Sequence, residues 1–128
     1  MVVQGNLVKT YEESFRKHWD LKALSIYKGN FSITYGQVAE QIEKIHILFE
    51  QCGVKKGNKI ALIGKSHPHW AISYLATITY GCTIVPILVD FHPNDVQNLI
   101  THSYAIMLFC GDMVLPSLDA EKMPNLRA

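Results

Sequence analysis

Two apolar segments on either side of an apolar helix constrain the fold of this chain more than any other feature. The segments are Lys59–Ile63 and Thr83–Leu88, and neither alternates as a strand with one wet face would. Strands that are apolar on both faces are typical of parallel sheets covered by helices. The intervening helix, about Pro68–Tyr80, is apolar around its circumference, which predicts burial on several sides. A helix this apolar also suggests cover from polypeptide beyond Ala128.

A further helix and strand extend this pattern. Pro93 starts the helix, and its predicted inner positions are Val96, Leu99, Ile100 and Ser103. The strand covers Ala105–Cys110 and stops at Gly111, before a weakly helical stretch over Asp112–Lys122. The resulting β-α-β-α-β run predicts parallel strands joined by right-handed crossovers. Pro86 has no N–H, so it should lie at a strand end or where the ladder is open.

A helix and a short hairpin are predicted before this unit. Asn6 can cap a helix through about Trp19, with one face formed by Leu7, Tyr11, Phe15 and His18. The β-prone runs Leu24–Tyr27 and Phe31–Ile33 flank Lys28-Gly29-Asn30, whose glycine and asparagine tolerate the positive φ of a tight turn. These features predict a hairpin after the first helix.

The clearest helix of the sequence follows the hairpin. Thr34 and Gln37 have the spacing of a capping box, in which each side chain bonds the other residue's backbone N–H. The predicted core stripe of the helix is Val38, Ile42, Ile45 and Phe49, and Gly53 ends it as a C-cap. The fold predicted from these elements is α/β: a mostly parallel sheet with flanking helices, preceded by a helix and a short hairpin.

The length and composition of the chain are those of one globular domain over residues 1–128. The length is 128 residues and the hydrophobic content is 48%. A net charge of +1 predicts no basic face and argues against a nucleic-acid partner. Cys52, Cys82 and Cys110 are odd in number and lack metal-ligand spacing, so we expect reduced, mostly buried thiols. Without a signal segment or an apolar run of about 18 residues, the protein is expected to be soluble and cytoplasmic.

Individual motifs predict no chemistry on their own. Gly64-Lys65-Ser66 follows a strand, but Lys59 stands where a P-loop needs glycine, so only a weak anion contact at the next helix stays open. His67 and His69 flank a proline and are expected to splay apart, which favours capping or surface roles for them and for His92 over metal binding.

Nucleophile arrangements are not recognisable either. No serine lies in a G-x-S-x-G elbow, and nothing beside Cys110 would activate its thiol. Trp70, Tyr74 and Tyr80 have helical spacing and are interpreted as core or interface residues, with the wall of a ligand tunnel as an alternative. His18, His46 and His102 are spread along the predicted helices and indicate no functional site. The residues alone therefore predict a fold and no catalytic, cofactor-binding or metal-binding position.

Several segments, taken in order and spacing, nevertheless resemble one family. The segments are Ile33–Val38, Gly53-Val54 with Lys56–Leu62, Ser66–Trp70, Tyr80–Ile87, and His102–Ala105 with Leu108-Phe109. They resemble successive motifs of the adenylate-forming enzymes, the superfamily of acyl-CoA synthetases, peptide-synthetase adenylation domains and luciferases. Ser66–Trp70 is similar to an Asn-x-Pro-Glu-Trp element of the long-chain fatty acyl-CoA ligase branch. Asn58, His69 and Tyr80 depart from the family's usual Asp, Glu and Ala.

The resemblance implies a function for a larger protein. Such enzymes join a carboxylate to ATP, releasing pyrophosphate, and then pass the acyl group to coenzyme A, with Mg²⁺ neutralising the phosphates. The family's phosphate loop, adenine segment, hinge and catalytic lysine come later in its sequence and have no match here. The chain is therefore expected to be the N-terminal, inactive scaffold of a fatty acid–CoA ligase, with no catalytic, cofactor-binding or metal-binding residues of its own.

The resemblance also implies partners. These are the rest of the parent enzyme, its ATP, CoA and fatty acid, and other copies of the chain that meet through uncovered apolar faces. Two alternatives stay open: a non-catalytic α/β binding module, and an aryl- or amino-acid-activating member of the same superfamily.

Overall fold

A computed structural model describes residues 7–26 and 31–128. The first elements are α1 (Leu7–Lys17), β1 (Lys22–Ser25), β2 (Ser32–Thr34) and α2 (Tyr35–Gln51). They are followed by β3 (Lys59–Ile63), α3 (Pro68–Thr79), β4 (Thr83–Ile87), α4 (Pro93–Ser103) and β5 (Met107–Cys110). The predicted cap Asn6 and the predicted turn at residues 28–30 lie outside the described residues.

A three-stranded parallel sheet in the order β4-β3-β5 forms the centre of the fold. The β3–β4 register runs without a break from Lys59 opposite Thr83 to Ile63 opposite Ile87. β3 is the middle strand, and its last four residues are all buried. This burial is expected because the strand is covered on both faces and paired on both edges. The α/β architecture with a parallel sheet and flanking helices is confirmed.

Helices cover both faces of this sheet. Ala61 and Ile63 of β3 belong to the apolar cluster that includes Val96 and Ile100 of α4. Ile60, which points to the other face, packs in a cluster with Phe49 of α2. α3 packs on α2, so these two helices share a layer, and α4 forms the opposite layer.

The N-terminal elements follow the predicted hairpin-then-helix order. β1 and β2 pair antiparallel. The capping box of α2 is present: Thr34 Oγ1 accepts from Gln37 N at 3.2 Å, and Gln37 Oε1 accepts from Thr34 N at 2.9 Å. Gly53, just after the helix, has a φ of 71°, a conformation that glycine adopts without steric cost. Both helix-end predictions for α2 are confirmed.

The structure corrects the prediction that α3 is buried on several sides. Within the described chain its fully buried residues are Pro68, Ile72, Ala76 and Thr77, and the other apolar positions of α3 are only half-buried. The hydroxyl of Thr77 keeps a hydrogen-bond partner when buried, because it donates to the Ser73 carbonyl oxygen at 2.8 Å. α3 is therefore apolar beyond what this chain covers.

Smaller corrections concern element ends and one helix face. α1 ends at Lys17 rather than near Trp19, and the first strand lies two residues earlier than predicted. In α4 the predicted inner residue Leu99 is 40% exposed, whereas Gln97 is 4% exposed. Burial of Gln97 is possible because its Oε1 accepts from Asp119 N at 2.7 Å. The weakly helical stretch contains two 3₁₀ turns, Leu115–Ser117 and Ala120–Lys122.

The two outer edges of the sheet differ. On β5, Leu108 N donates to the Ala128 carbonyl at 3.1 Å, and Arg127 N donates to the Ile106 carbonyl at 2.6 Å. On β4, no strand of the described part of the chain pairs beyond it. Pro86 lies in this outer strand, opposite Leu62, which confirms that it occupies an open side of the ladder.

Candidate functional site

The topology predicts a crevice between the carboxyl ends of β3 and β5. The chain leaves β3 through α3 to reach β4 on one side, then crosses through α4 to β5 on the other side. Adjacent strands whose connections leave in opposite directions form a topological switch point, where open α/β sheets usually bind ligands. The residues that follow β3 and β5 therefore form the first candidate site.

Two glycines form the floor of this crevice. Gly111 N donates to the Ile63 carbonyl at 3.0 Å, and a Cβ on Gly111 would lie 3.7 Å from Gly64 Cα. The indole of Trp70 forms a wall, with its Cδ1 3.8 Å from the Cβ position of Gly64. Trp70 also stacks on Tyr74, at 5.4 Å between ring centroids and 19° between planes. The crevice thus presents bare backbone beside a flat aromatic surface.

The histidines at the start of α3 lie together rather than apart. The ring centroids of His67 and His69 are 4.6 Å apart, so the prediction that they splay is wrong. Phe31 packs near both rings, at 6.3 Å and 6.5 Å. No local pattern in the sequence indicates this contact, because it depends on side-chain rotamers on both sides of Pro68.

The prediction of capping or surface roles is confirmed: His67 and His92 cap helices, and His69 is exposed. His67 Nδ1 accepts from His69 N at 3.1 Å, and His92 Nδ1 accepts from Asn94 N at 3.1 Å at the start of α4. Each cap uses one ring nitrogen that a metal would otherwise need. Among residues 7–26 and 31–128, no group of three or more His, Cys, Asp or Glu side chains could hold a metal ion.

The thiols near the sheet are held in the protonated form. Burial raises the pKa of Cys82, and burial followed by the Asp112 charge raises the pKa of Cys110. A nucleophilic cysteine requires the opposite shift, toward thiolate at neutral pH. Cys82 is fully buried, whereas Cys52 and Cys110 are half-buried, so the cysteines are less uniformly buried than predicted.

A second concave feature lies between α1, α2 and α3. This helical groove has a volume of about 330 Å³, and its lining consists of Val8, Tyr11, Glu12, Phe15, Arg16, Trp19, Ala39, Ile42, His46, Leu75 and Thr79. Sequence reasoning missed it, because it is built from three helices that are distant in the chain. It shares no lining residue with the crevice at Gly64, Trp70 and Gly111.

His46 is the residue of this groove whose role was overlooked. Its Nε2 is 2.9 Å from the Ala76 carbonyl oxygen and 3.0 Å from Thr79 Oγ1, joining α2 to α3. A carbonyl can only accept, so Nε2 carries the proton. The signal that could have found it is position: His46 lies four residues after Ile42 and three before Phe49, on the predicted core stripe.

In the part of the chain that the structure describes, no helix is long and apolar enough to cross a membrane.

Comparison with known proteins places the chain among larger enzymes. The sequence profile described as AMP-binding enzyme matches residues 11–128. An acetyl-coenzyme A synthetase of Desulfatibacillum aliphaticivorans is 27% identical over 106 residues, which are 79% of this chain and 16% of the relative. Long chain acyl-CoA synthetase 5 of Arabidopsis thaliana is 27% identical over 85 residues, covering 66% of this chain and 13% of the relative.

A solved structure extends the likeness to the fold. The anthranilate CoA ligase AuaEII, in complex with anthranoyl-AMP, superposes with a TM-score of 0.87 at 19% identity, covering 98% of this chain and 24% of that one. The chain thus spans about a sixth or less of the length of these two curated relatives, and about a quarter of this structural neighbour.

Proposed function

The chain belongs to the AMP-binding enzyme family, and on that premise we propose that it is the N-terminal part of an ATP-dependent acid–thiol ligase. The observation that carries the proposal is the profile match over residues 11–128, joined to a parallel α/β sheet of the same fold as a CoA ligase. In this proposal residues 1–128 form a single α/β domain portion that acts in the cytoplasm.

The proposed reaction has two steps. A carboxylate oxygen attacks the α-phosphorus of ATP, pyrophosphate leaves, and an acyl-adenylate forms. The sulfur of coenzyme A then attacks the acyl carbon, forming a thioester and releasing AMP. Mg²⁺ supplies neutralisation of phosphate charge when bound. The described residues do not fit a magnesium centre of clustered carboxylates, so no step is assigned to a metal held by this chain.

The contribution of the chain to this reaction is structural in our proposal. The buried β3 and the helix layers fix the carboxyl ends of β3 and β5, where glycines keep the backbone accessible. The half-buried apolar side of α3 provides surface against which the rest of a parent enzyme can pack. Catalytic, cofactor-binding and metal-binding residues are proposed to lie in that rest, together with the ATP and coenzyme A sites.

The acid is proposed to be a fatty acid. Ser66–Trp70 resembles the corresponding element of long-chain ligases, and a long chain acyl-CoA synthetase is among the relatives. The competing candidate is an aromatic acid, which the likeness to an anthranilate CoA ligase favours. Acetate is a third candidate, because an acetyl-coenzyme A synthetase matches a larger part of the chain.

Two measurements of ATP–pyrophosphate exchange test this function. Residues 1–128 alone, supplied with ATP, Mg²⁺ and palmitate, should give no exchange above a protein-free control. Robust exchange would overturn the scaffold role. The longest reading frame that contains these residues should give exchange, and palmitate should exceed anthranilate and acetate. A preference for anthranilate or acetate would replace the fatty acid and leave the ligase proposal standing.

Self-association is a separate part of the proposal. Several large apolar side chains are strongly exposed, among them Leu88 at 66%, Met113 at 85% and Leu115 at 60%. Exposed apolar surface of this kind favours contacts between copies. Sedimentation velocity over a tenfold or wider concentration range should show association, and a monomer throughout would contradict it.

A further inference from the structure

The groove between α1, α2 and α3 has an apolar, aromatic lining. Among its described residues the charged side chains are Glu12 and Arg16, which pair with each other. Tyr11 and Phe15 of α1, with Trp19 just after it, supply the rings, and Ile42 and Leu75 supply aliphatic floor. Aromatic and aliphatic walls gain most from a ligand that removes apolar area from water.

Four polar side chains of the lining, Glu12, Arg16, His46 and Thr79, already take part in hydrogen bonds within the protein. Arg16 Nη2 donates to Glu12 Oε1 at 2.6 Å. Thr79 Oγ1 donates to the Leu75 carbonyl oxygen at 2.6 Å, and His46 Nε2 is engaged with the Ala76 carbonyl and Thr79. The rest of the lining is mostly apolar, so a charged ligand would lose hydration against it without compensation, whereas a neutral one would not.

The size of the groove decides between a small molecule and a macromolecule. Its volume of about 330 Å³ lies at the lower end of the range in which small-molecule sites fall. A stable protein interface needs roughly 800 Å² from each partner, which a groove of this size does not provide. The occupant that fits is therefore a compact small molecule.

We propose that the groove between α1, α2 and α3 is a binding site for a neutral, largely apolar small molecule, aromatic or aliphatic. The site is separate from the crevice at the ends of β3 and β5 and from the proposed ligase chemistry.

The first test is a fluorescence titration of the full chain with N-phenyl-1-naphthylamine, a neutral probe that brightens in apolar surroundings. We expect saturable binding with one site per chain. Ala39→Leu places three more carbons in the groove and should weaken binding by about tenfold or more. Gln41→Leu is the matched control, since it adds leucine to an exposed position of α2 outside the groove. Absence of saturable binding, or equal affinity for Ala39→Leu, overturns the site.

A second pair of variants keeps the test independent of folding defects. Tyr11→Ala removes one aromatic wall from a helix that contributes nothing to the fully buried core, and should weaken probe binding severalfold. Tyr104→Ala removes a tyrosine that is 74% exposed elsewhere and should leave binding unchanged. Equal effects of the two variants would overturn the groove as the binding site. Circular dichroism establishes that each variant is folded.

The charge of the ligand is tested by competition between two molecules of equal chain length. 1-Decanol and decanoate differ at the head group, which is neutral in the first and anionic in the second. Decanol should displace N-phenyl-1-naphthylamine at lower free concentration than decanoate does. If decanoate competes better, the groove selects anions and the neutral-ligand proposal is wrong. ATP–pyrophosphate exchange is not involved, so failure here leaves the ligase proposal untouched.

Discussion

The N-terminal layer (residues 7–26 and 31–34) and the sheet unit (residues 35–128, which includes α2) are held in place by different means. In the sheet unit, four of the five residues of β3 are buried, and the strand is packed from both faces. In the N-terminal layer, α1 has no fully buried residue and contacts its neighbours through edge-on rings such as Phe15 and Tyr35, 5.2 Å apart. One apolar face is therefore enough to dock a helix, whereas a strand is fixed in place by burial on two faces.

The largest difference between the two regions is expected when one phenylalanine is removed from each. Phe49 is 0% exposed and packs against Tyr80 and Phe109, at 5.2 Å and 5.9 Å between ring centroids. Phe49→Ala should lower the free energy of unfolding by about 3–5 kcal/mol through lost burial and a cavity. Phe15→Ala in α1 should cost no more than about 1 kcal/mol, because Phe15 is only partly buried. Urea unfolding followed by circular dichroism measures both, and equal losses would contradict the contrast.

The join between the regions is tested at Gly36. A Cβ at this position would lie 2.4 Å from Trp19 Nε1, so alanine must displace the indole. Gly36→Ala should lower the free energy of unfolding by about 1–3 kcal/mol and change the fluorescence emission of Trp19. Gly64→Ala is the matched control, since its nearest atoms are 3.8 Å and 3.9 Å away. If both variants unfold at the same urea concentration, the indole is not held as described.

A smaller effect is expected at Thr34, the last residue of the N-terminal layer, which caps α2 of the sheet unit. Thr34→Ala removes the capping oxygen of Gln37 N and should reduce stability by about 1 kcal/mol. Thr34→Ser keeps that oxygen and should restore most of the loss. Thermal unfolding compares the three proteins, and a serine variant as unstable as the alanine variant would exclude capping as the cause.

The smallest effect concerns the pH dependence of the sheet unit. Burial raises the pKa of Cys82, so its thiol ionises at higher pH in the folded than in the unfolded chain. The stabilisation from this group is complete below the unfolded pKa and is lost as pH rises through the folded pKa. Alkylation of Cys82 by iodoacetamide, followed by mass spectrometry, should therefore lag behind that of the urea-unfolded chain at alkaline pH. Equal rates would show that the thiol is accessible.

The two regions also differ in how far the sequence predicts them. The bounds of β3 were predicted to the residue, because a strand buried on both faces leaves a continuous apolar run between turn residues. The capping box at Thr34 was predictable because it is local chemistry at fixed spacing. Leu99 was misplaced because apolar periodicity cannot tell a buried position from the flank of a helix, where Gln97 with a backbone partner was preferred.

The candidate sites were less predictable than the fold. The glycines of the crevice could be read as strand ends, but not as neighbours, since their approach depends on the order β4-β3-β5. The groove between α1, α2 and α3 depends on helix packing, and the role of His46 was overlooked because its partners, Ala76 and Thr79, lie on another helix. Local chemistry is therefore visible in the sequence, whereas sites assembled from distant elements are not.

Pro86 has a consequence for how the protein behaves when crowded. It occupies the strand that borders the sheet, at a position opposite Leu62. Fibrillar stacking proceeds by adding one backbone to another along such a border, and each addition draws on amide protons. An imino acid supplies none, so a proline at the fourth residue of this border strand disfavours templated polymerisation on that flank.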